Sequence, residues 1–468
     1  MPRVSEPALR ADWLIGEIAV VGLARSGRSA AKLLARAGKQ VYASDMATSP
    51  ELEVTARDLE NEGVSVELGR HDLARIGKAS LVVASPGVPP DAPPFVAARK
   101  AQVPIVSEIE IGLRFLPRLK YIAITGTNGK TTTTALTGHL LKSLGCHAAT
   151  AGNIGTPLTE LALEAHVPDW VALEVSSFQL HDTPSIRPTV GILTNLSANH
   201  LDRYTSVDEY FGDKALMFRN ASPESLWVTN ADDTAVETMT RRLAGIHCRF
   251  SVQEYADAYY DRENNVLRVL GHPVLEREKL SLLGDHNVAN ALAATLAVVL
   301  ADRSHTTSRS LQALSDGLAS FSALEHRIET VGQFDRVTWI NDSKSTNVAS
   351  TLVAMRGMKS PTVLLLGGKH KGEPYTDLLP ELERTGRAVI AYGEAASLIE
   401  HDLRTAKVPL TRLGSSFEEV IATARRLARP GDVVLLSPAC SSYDMFDNYE
   451  HRGEVFKQLA AGAYAERS

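Results

Sequence analysis

The sequence predicts an α/β protein of three domains in series, built on mostly parallel sheets. Three observations carry that prediction. Short apolar runs ending in glycine or a polar residue recur along the chain, many of them followed by a helical pattern. Alternation at this pace is the mark of parallel sheets. The chain has 468 residues, more than one hydrophobic core usually serves. The run "YIAITGTNGKTTTT" (Tyr121–Thr134) reads as an apolar strand, a glycine turn and a helix start, and it opens a second unit.

In the first unit, "IAVVGL" (Ile18–Leu23) reads as a buried strand ending at glycine, and "SGRSAAKLLARAG" (Ser26–Gly38) as a helix stopped by glycine. Strands are expected at "QVYASD" (Gln40–Asp45), "ASLVVASPGV" (Ala79–Val88) and "PIVSEIEI" (Pro104–Ile111). In the second unit they are expected at "WVALEVSS" (Trp170–Ser177), "VGILTNLS" (Val190–Ser197) and "SLWVTNADD" (Ser225–Asp233), with a helix at "NVANALAATLAVVLA" (Asn287–Ala301). The segment "LEHRIETV" (Leu324–Val331) reads as a boundary, with a hinge at Ser322–Glu325. The third unit alternates again through "VTWINDS" (Val337–Ser343), "TVLLLGG" (Thr362–Gly368), "AVIAYG" (Ala388–Gly393) and "DVVLLSPA" (Asp432–Ala439). The expected domains are 1–115, 116–322 and 323–468. In open α/β sheets, ligands sit at the carboxyl ends of the strands.

Composition narrows the partners. With 49 basic and 55 acidic residues the formal charge is −6, so nothing suggests a nucleic-acid partner. No apolar run approaches the ~18 residues of a transmembrane helix, and no signal peptide is recognised at the start. Cys146, Cys248 and Cys440 have no metal or redox spacing and read as reduced thiols of a cytoplasmic protein. A monomer is expected.

The turn Gly126–Thr131 carries the strongest chemistry. A strand feeding glycines and then a helix aims backbone N–H groups at an anion. Lys130 adds a point charge for the β- and γ-phosphates, and the Thr131 hydroxyl can hold Mg²⁺. The spacing is compressed relative to the usual phosphate loop, because the position five before Gly129 is Ile124. Glu174 suits a magnesium site, which takes oxygen ligands. His200 alone suits it poorly, and Lys214 as an ammonium would repel a metal, so the residues alone leave the ligand set open. In the first unit, "GLARSG" (Gly22–Gly27) with Asp45 is close to a dinucleotide fingerprint. Ala24 replaces the glycine that lets backbone approach a pyrophosphate, which favours a nucleotide with a ribose over a redox dinucleotide. In the third unit "NDSKSTN" (Asn341–Asn347), "GGKHKG" (Gly367–Gly372) and "SPACSSYDMFDNYEHRGEVF" (Ser437–Phe456) follow buried strands. They should gather at one sheet edge as a site for an anionic small molecule or for more of the nucleotide.

"TGTNGKTTT", "AGNIGTP", "LEVSSFQL", "TNLSANHLDRY", "DHNVANALAA", "EHRIE", "NDSKSTN" and "LSPACSSYDMFDNYEHRG" occur in that order. From about Ile18 to about Leu459 the chain resembles the Mur ligases of peptidoglycan precursor synthesis. The resemblance implies Rossmann-like first and third domains around a central P-loop ATPase-type domain. "EVSSFQL" with "SPACSSYDMF" points within that family to the member that adds glutamate to UDP-N-acetylmuramoyl-L-alanine. It implies that Gly126, Thr127, Asn128, Gly129, Lys130, Thr131 and Thr132 bind ATP, with Asn287, Asn290, His326, Arg327 and Asp342 around adenine, ribose and phosphates. Glu174 and Thr131 would hold one Mg²⁺. His200 and Lys214, the latter carbamylated by CO₂ and so an oxygen anion, would hold a second. Lys130, Glu174, His200 and Lys214 are then the expected catalytic set. Arg25, Ser26, Asp45, Asn153 and His200 match the UDP-substrate site, with Asn153 at a position that contacts the γ-phosphate or the uridine substrate. Lys344, Thr346, Lys371, Ser442 and Tyr449 match the glutamate site. Tyr449 stands where the family often has phenylalanine, Ser441 where it often has alanine, and Ala24 and Arg25 alter the UDP loop. A folylpolyglutamate synthase shares the turn but not "SPACSSYDMF"; a nucleotide switch would lack the third unit's loops.

Overall fold

A computed structural model describes residues 15–198, 204–322 and 325–465. Three sheets lie in series. The first holds β1 (Glu17–Val21), β2 (Gln40–Asp45), β3 (Ser65–Leu68), β4 (Leu81–Ala84) and β5 (Ile105–Ser107), all parallel, in the order β3-β2-β1-β4-β5. Its strand order reverses beside β1, so the turn after β1 opens into a crevice.

The central sheet holds β6 (Lys120–Thr125), β7 (Ala148–Gly152), β8 (Trp170–Glu174), β9 (Val190–Leu193), β10 (Leu226–Asn230), β11 (Ile246–Ser251), β12 (Ala258–Asp261), β13 (Val266–Val269) and β14 (His272–Glu276). Their order is β14-β13-β12-β11-β10-β9-β6-β8-β7. It is parallel from β7 to β12, and β12, β13 and β14 finish it as an antiparallel meander. β6 lies between β8 and β9, so the glycine turn leaves the middle of the sheet. Helix Asp285–Ala301 is apolar on nearly every side because it is buried between this sheet and its neighbours.

The third sheet holds β15 (Glu329–Phe334), β16 (Val337–Asn341), β17 (Thr362–Gly367), β18 (Gly386–Tyr392), β19 (Leu410–Arg412) and β20 (Val433–Leu436), in the order β15-β16-β20-β17-β18-β19. Only β15 runs antiparallel. β16, β17 and β20 are neighbours, which brings the three polar loops to one edge.

The α/β class is as expected from the sequence. The strand expected over Pro104–Ile111 is a correction. It ends at Ser107, whose hydroxyl accepts from the Glu110 N–H (3.2 Å) and caps the helix Glu108–Phe115. Ile109 and Leu113, four residues apart, then face one core, a helical and not a strand period. The strand expected over Ala79–Val88 is likewise only Leu81–Ala84, because "SPG" turns the chain. Of the expected hinge, Ala323 and Leu324 lie outside the described residues.

Candidate active site

β6 runs directly into the glycine turn and the turn into helix Lys130–Ser143. Gly126 (φ 144°) and Gly129 (φ 80°) adopt backbone that favours glycine. A side chain at Gly126 would collide with Thr194 Oγ1, and one at Gly129 with Asn290 Oδ1. The exit of β9 fixes the turn. Thr127 N donates to the Asn195 carbonyl (2.9 Å) and Asn128 N to Asn195 Oδ1 (2.8 Å). Thr194 Oγ1 (2.7 Å) and Asn195 Nδ2 (2.9 Å) donate to the Asn128 carbonyl. No side chain caps the following helix, so its first-turn N–H groups are available to an anion. Thr131 and Thr132 are buried in that turn.

Two lysines converge here. Lys130 Nζ donates to the carbonyls of Gly126 (3.0 Å) and Thr127 (2.7 Å). Lys214 comes from helix Val207–Ala215, is 1% exposed, and donates to the same Gly126 oxygen at 2.7 Å. Burial lowers the pKa of both, and the Lys130 charge pushes Lys214 further down. Glu174, at the end of β8, is 1% exposed; its Oε1 accepts from Asn153 Nδ2 at 2.9 Å, and its Oε2 has no partner. Among the described residues, seven buried side-chain polar atoms lack a partner, and four surround this turn: Thr125 Oγ1, Glu174 Oε2, Ser197 Oγ and Arg327 Nε. Each such atom costs about 1–3 kcal/mol, so their concentration marks a place that a polar ligand completes.

Asn287, Asn290 and Thr133 form a chain beside the turn. Thr133 Oγ1 donates to Asn290 Oδ1 (3.2 Å) and Asn290 Nδ2 to Asn287 Oδ1 (3.1 Å). From the third unit, Arg327 Nη1 reaches Thr132 Oγ1 (3.3 Å). Asp342 accepts from Ser437 Oγ (2.7 Å) and the Ile328 N–H (3.2 Å), and burial raises its pKa to about 6. Burial lowers Lys344 to about 8, and its Nζ lies 5.2 Å from the centre of the Tyr449 ring. His326 meets that ring edge-on. Lys371 Nζ donates to Thr346 Oγ1 (3.1 Å), and Ser442 is buried in the neighbouring loop.

In the first unit, Asp45 accepts from the Leu23 N–H (2.7 Å) and the Ala47 N–H (2.9 Å), which holds the "GLARSG" turn against β2. Ser26 lies in the first turn of helix Arg25–Arg36. Arg25 is engaged by the central unit: its guanidinium donates to Glu160 (3.0 Å, twice) and to the Gly155 carbonyl (3.1 Å). His200 lies outside the described residues. The structure thus gathers the turn, Asn153, Glu174, Lys214, Asn287, Asn290 and Arg327 in one place. Lys344, Thr346, Lys371, Ser442 and Tyr449 lie on adjoining loops of the third unit.

The sequence reading did not single out Thr194, Asn195 or Arg452. Arg452 is fully buried and donates to Ser343 Oγ (2.9 Å), the Ser343 carbonyl (2.8 Å), the Cys440 carbonyl (3.2 Å) and the Gly367 carbonyl (3.5 Å). It ties together all three loops of the third unit. Its signal in the sequence was its place in "LSPACSSYDMFDNYEHRG", where it is one of several basic residues of the helix Tyr449–Ala465.

Three family models match in series: the Mur ligase MurD-like N-terminal domain over residues 16–107, the Mur ligase middle domain over 124–298, and the Mur ligase glutamate ligase domain over 326–440. Among curated relatives, UDP-N-acetylmuramoylalanine–D-glutamate ligase of Chromobacterium violaceum is 40% identical over 466 residues, 98% of this chain and 100% of the relative. The enzyme of the same name from Acidobacterium capsulatum is 39% identical over 449 residues, 95% of each chain. Among solved structures, UDP-N-acetylmuramate-alanine ligase from Thermotoga maritima aligns with a TM-score of 0.60 at 20% identity, covering 97% of this chain and 100% of that one. MurF from Acinetobacter baumannii aligns with a TM-score of 0.61 at 16% identity, covering 94% and 93%.

Proposed function

The chain belongs to the Mur ligase family, and on that premise we propose that it is an ADP-forming amide ligase. It joins D-glutamate to UDP-N-acetylmuramoyl-L-alanine, through an acyl phosphate, in peptidoglycan precursor synthesis. The observation that carries the reading is the convergence of Lys130 and Lys214 on one carbonyl beside the unpartnered Glu174 Oε2. One buried and one half-buried amine with a half-used carboxylate, at an uncapped helix N-terminus, fit a phosphate chain and its cation.

A carboxylate is a poor electrophile because its leaving group would be an oxide. One oxygen of the alanine carboxylate attacks the γ-phosphorus, and the bond to ADP breaks. The glutamate nitrogen then attacks the acyl carbon, loses a proton, and phosphate leaves as the amide forms. The protein's contribution is position and charge. Lys130 and the turn's N–H groups hold the phosphates. Asn153 fixes Glu174 in the orientation of a metal ligand, and Thr131 adds an oxygen nearby. Magnesium, when bound, neutralises the phosphate oxygens; two ions are proposed. Arg327 and Asp342 carry nucleotide contacts across from the third unit, with Asn287 and Asn290 on the near side.

Lys214 is assigned a carbamate. Its amine is buried among backbone and a like charge, where an ammonium is costly. CO₂ adds to the neutral amine, an N–C bond forms and a proton leaves, which converts the side chain to an oxygen donor. His200 is proposed as its co-ligand. Lys344, Thr346, Lys371, Ser442 and Tyr449 are assigned to glutamate, and Arg25, Ser26, Asp45 and Asn153 to the UDP substrate. No helix among the described residues is long and apolar enough to cross a membrane, and a cytoplasmic monomer of domains 1–115, 116–322 and 323–468 is proposed.

The test is phosphate release from ATP with UDP-N-acetylmuramoyl-L-alanine and D-glutamate, L-glutamate or no amino acid. Release with D-glutamate alone is expected. Release with L-glutamate alone would overturn the stereochemical assignment, and release with neither would overturn the substrates.

A further inference from the structure

The contact between Ser350 and Asn128 joins two sites that lie on different units. Ser350 sits in the first turn of helix Val348–Gly357, and its hydroxyl donates to Asn128 Oδ1 at 3.1 Å, across 222 residues of sequence. Asn128 is the centre of the glycine turn. Its backbone is already held on both sides by Thr194 and Asn195. Its side chain is therefore not needed to shape the turn, and it offers its oxygen outward to the third unit.

On the other side, Ser350 belongs to the loop system assigned to glutamate. Its N–H donates to Asn347 Oδ1 (2.7 Å), the cap of the same helix. The next N–H of that cap, Val348, donates to Glu373 Oε2 (2.7 Å), two residues beyond Lys371. Lys371 in turn donates to Thr346 Oγ1 (3.1 Å), immediately before Asn347. Hydrogen bonds joined by one- or two-residue stretches of backbone therefore lead from the phosphate turn, through Ser350, to the two loops that carry Lys344, Thr346 and Lys371. Arg327 is a second third-unit side chain that reaches this region among the described residues, but it touches Thr132 in the helix after the turn.

We propose that Ser350 is a positioning residue that sets the glutamate loops against the phosphate turn, so that the amine meets the acyl phosphate only when the third unit is docked. The inference rests on the ligase reading above. Hydrogen bonds linked through short, ordered backbone are a physical basis for coupling, and a double-mutant cycle is the direct measure of it. Ser350 touches no reacting atom in this account. Its removal should leave ATP binding alone and weaken productive use of glutamate, because the helix cap and the turn each keep their own backbone bonds.

The experiment is steady-state kinetics of full-length wild type, Ser350→Ala, Ser350→Thr, Asn128→Ala and the double variant Asn128→Ala/Ser350→Ala. Ser350→Ala should lower kcat/KM for D-glutamate about fivefold, the loss expected for one neutral hydrogen bond. The KM for ATP should stay within about twofold, and Ser350→Thr should restore most of the loss. The double variant should be no worse than Asn128→Ala alone. Multiplying losses in the double variant would overturn the coupling. An unchanged kcat/KM in Ser350→Ala, or an equal rise in the KM for ATP, would overturn the positioning role. An inactive wild type would instead refute the ligase reading. Ser350→Thr keeps the hydroxyl, so its melting temperature and kinetics separate loss of the bond from loss of the fold.

Discussion

Replacing Glu108 by glutamine should make the stability of this protein less dependent on pH. Glu108 opens helix Glu108–Phe115 at the seam between the first and central units and is 1% exposed. Its Oε1 accepts from the Thr159 N–H (2.6 Å) and hydroxyl (2.7 Å), and Thr159 Oγ1 also lies 2.7 Å from Ser29 Oγ. Oε2 is buried without a partner. Burial raises the pKa from 4.5 to about 7; the Thr159 bonds oppose this and the nearby Glu160, itself paired with Arg25, adds to it. A carboxyl raised in the folded state binds its proton more tightly there than in the unfolded chain. Stability is therefore unaffected below about 4.5 and falls as pH rises towards about 7. At about 1.4 kcal/mol per pH unit the full loss is about 3 kcal/mol. The glutamine variant has no such term. Its stability relative to wild type should climb by about 2–3 kcal/mol between pH 5 and pH 8, read from urea unfolding of both proteins at each pH. A difference that stays flat over that range would mean the carboxyl ionises normally, and the burial argument would be wrong.

Three other outcomes are expected. Glu174→Gln should lower turnover by on the order of 10²–10³ while the melting temperature holds, because Glu174 Oε2 makes no hydrogen bond within the protein that the change would break; unaltered turnover would remove it from the proposed metal site. Lys214→Ala should abolish most activity and recover part of it with added short carboxylates, measured as phosphate release, whereas full activity without rescue would end the carbamate assignment. Gly126→Ala should eliminate ATP binding in a direct titration, since the added carbon would meet Thr194 Oγ1 in a backbone conformation that favours glycine; retained affinity would show that the turn relaxes.

Much of the fold was legible because buried parallel strands read as plain apolar runs. β2 and β17, with two neighbours and covered faces, have nearly the bounds that "QVYASD" and "TVLLLGG" suggest. β7 was not legible. Its "AATAG" has one β-branched residue, Thr150, and no large apolar one, and it is a strand only through its pairing with β8. The meander β12–β14 and the edge strand β19 are short and half-exposed, so no apolar run announces them. Within the site, the glycine turn was legible, despite its compressed spacing, from a strand, glycines, Lys130 and Thr131 in register, since each glycine answers a local backbone demand. Arg452 was not, because its role depends on three loops distant in sequence that meet only in the folded sheet. Lys214 was visible as a residue but its chemistry was not, since a lysine on a helix reads as solvated until burial is known.

β20 bears on how the protein is made. It is the last strand of the third sheet to be synthesised, yet it lies in the middle, between β16 and β17. Arg452, later still, joins the loops that follow all three of those strands. On the ribosome, β16 and β17 have no partner on their shared side until β20 emerges, and the loops at their ends have no common anchor until Arg452 does. The first and central sheets are complete by then. The third sheet is thus completed late in its own synthesis, and a chain halted before β20 would expose two apolar strand edges to whatever quality-control machinery is at hand.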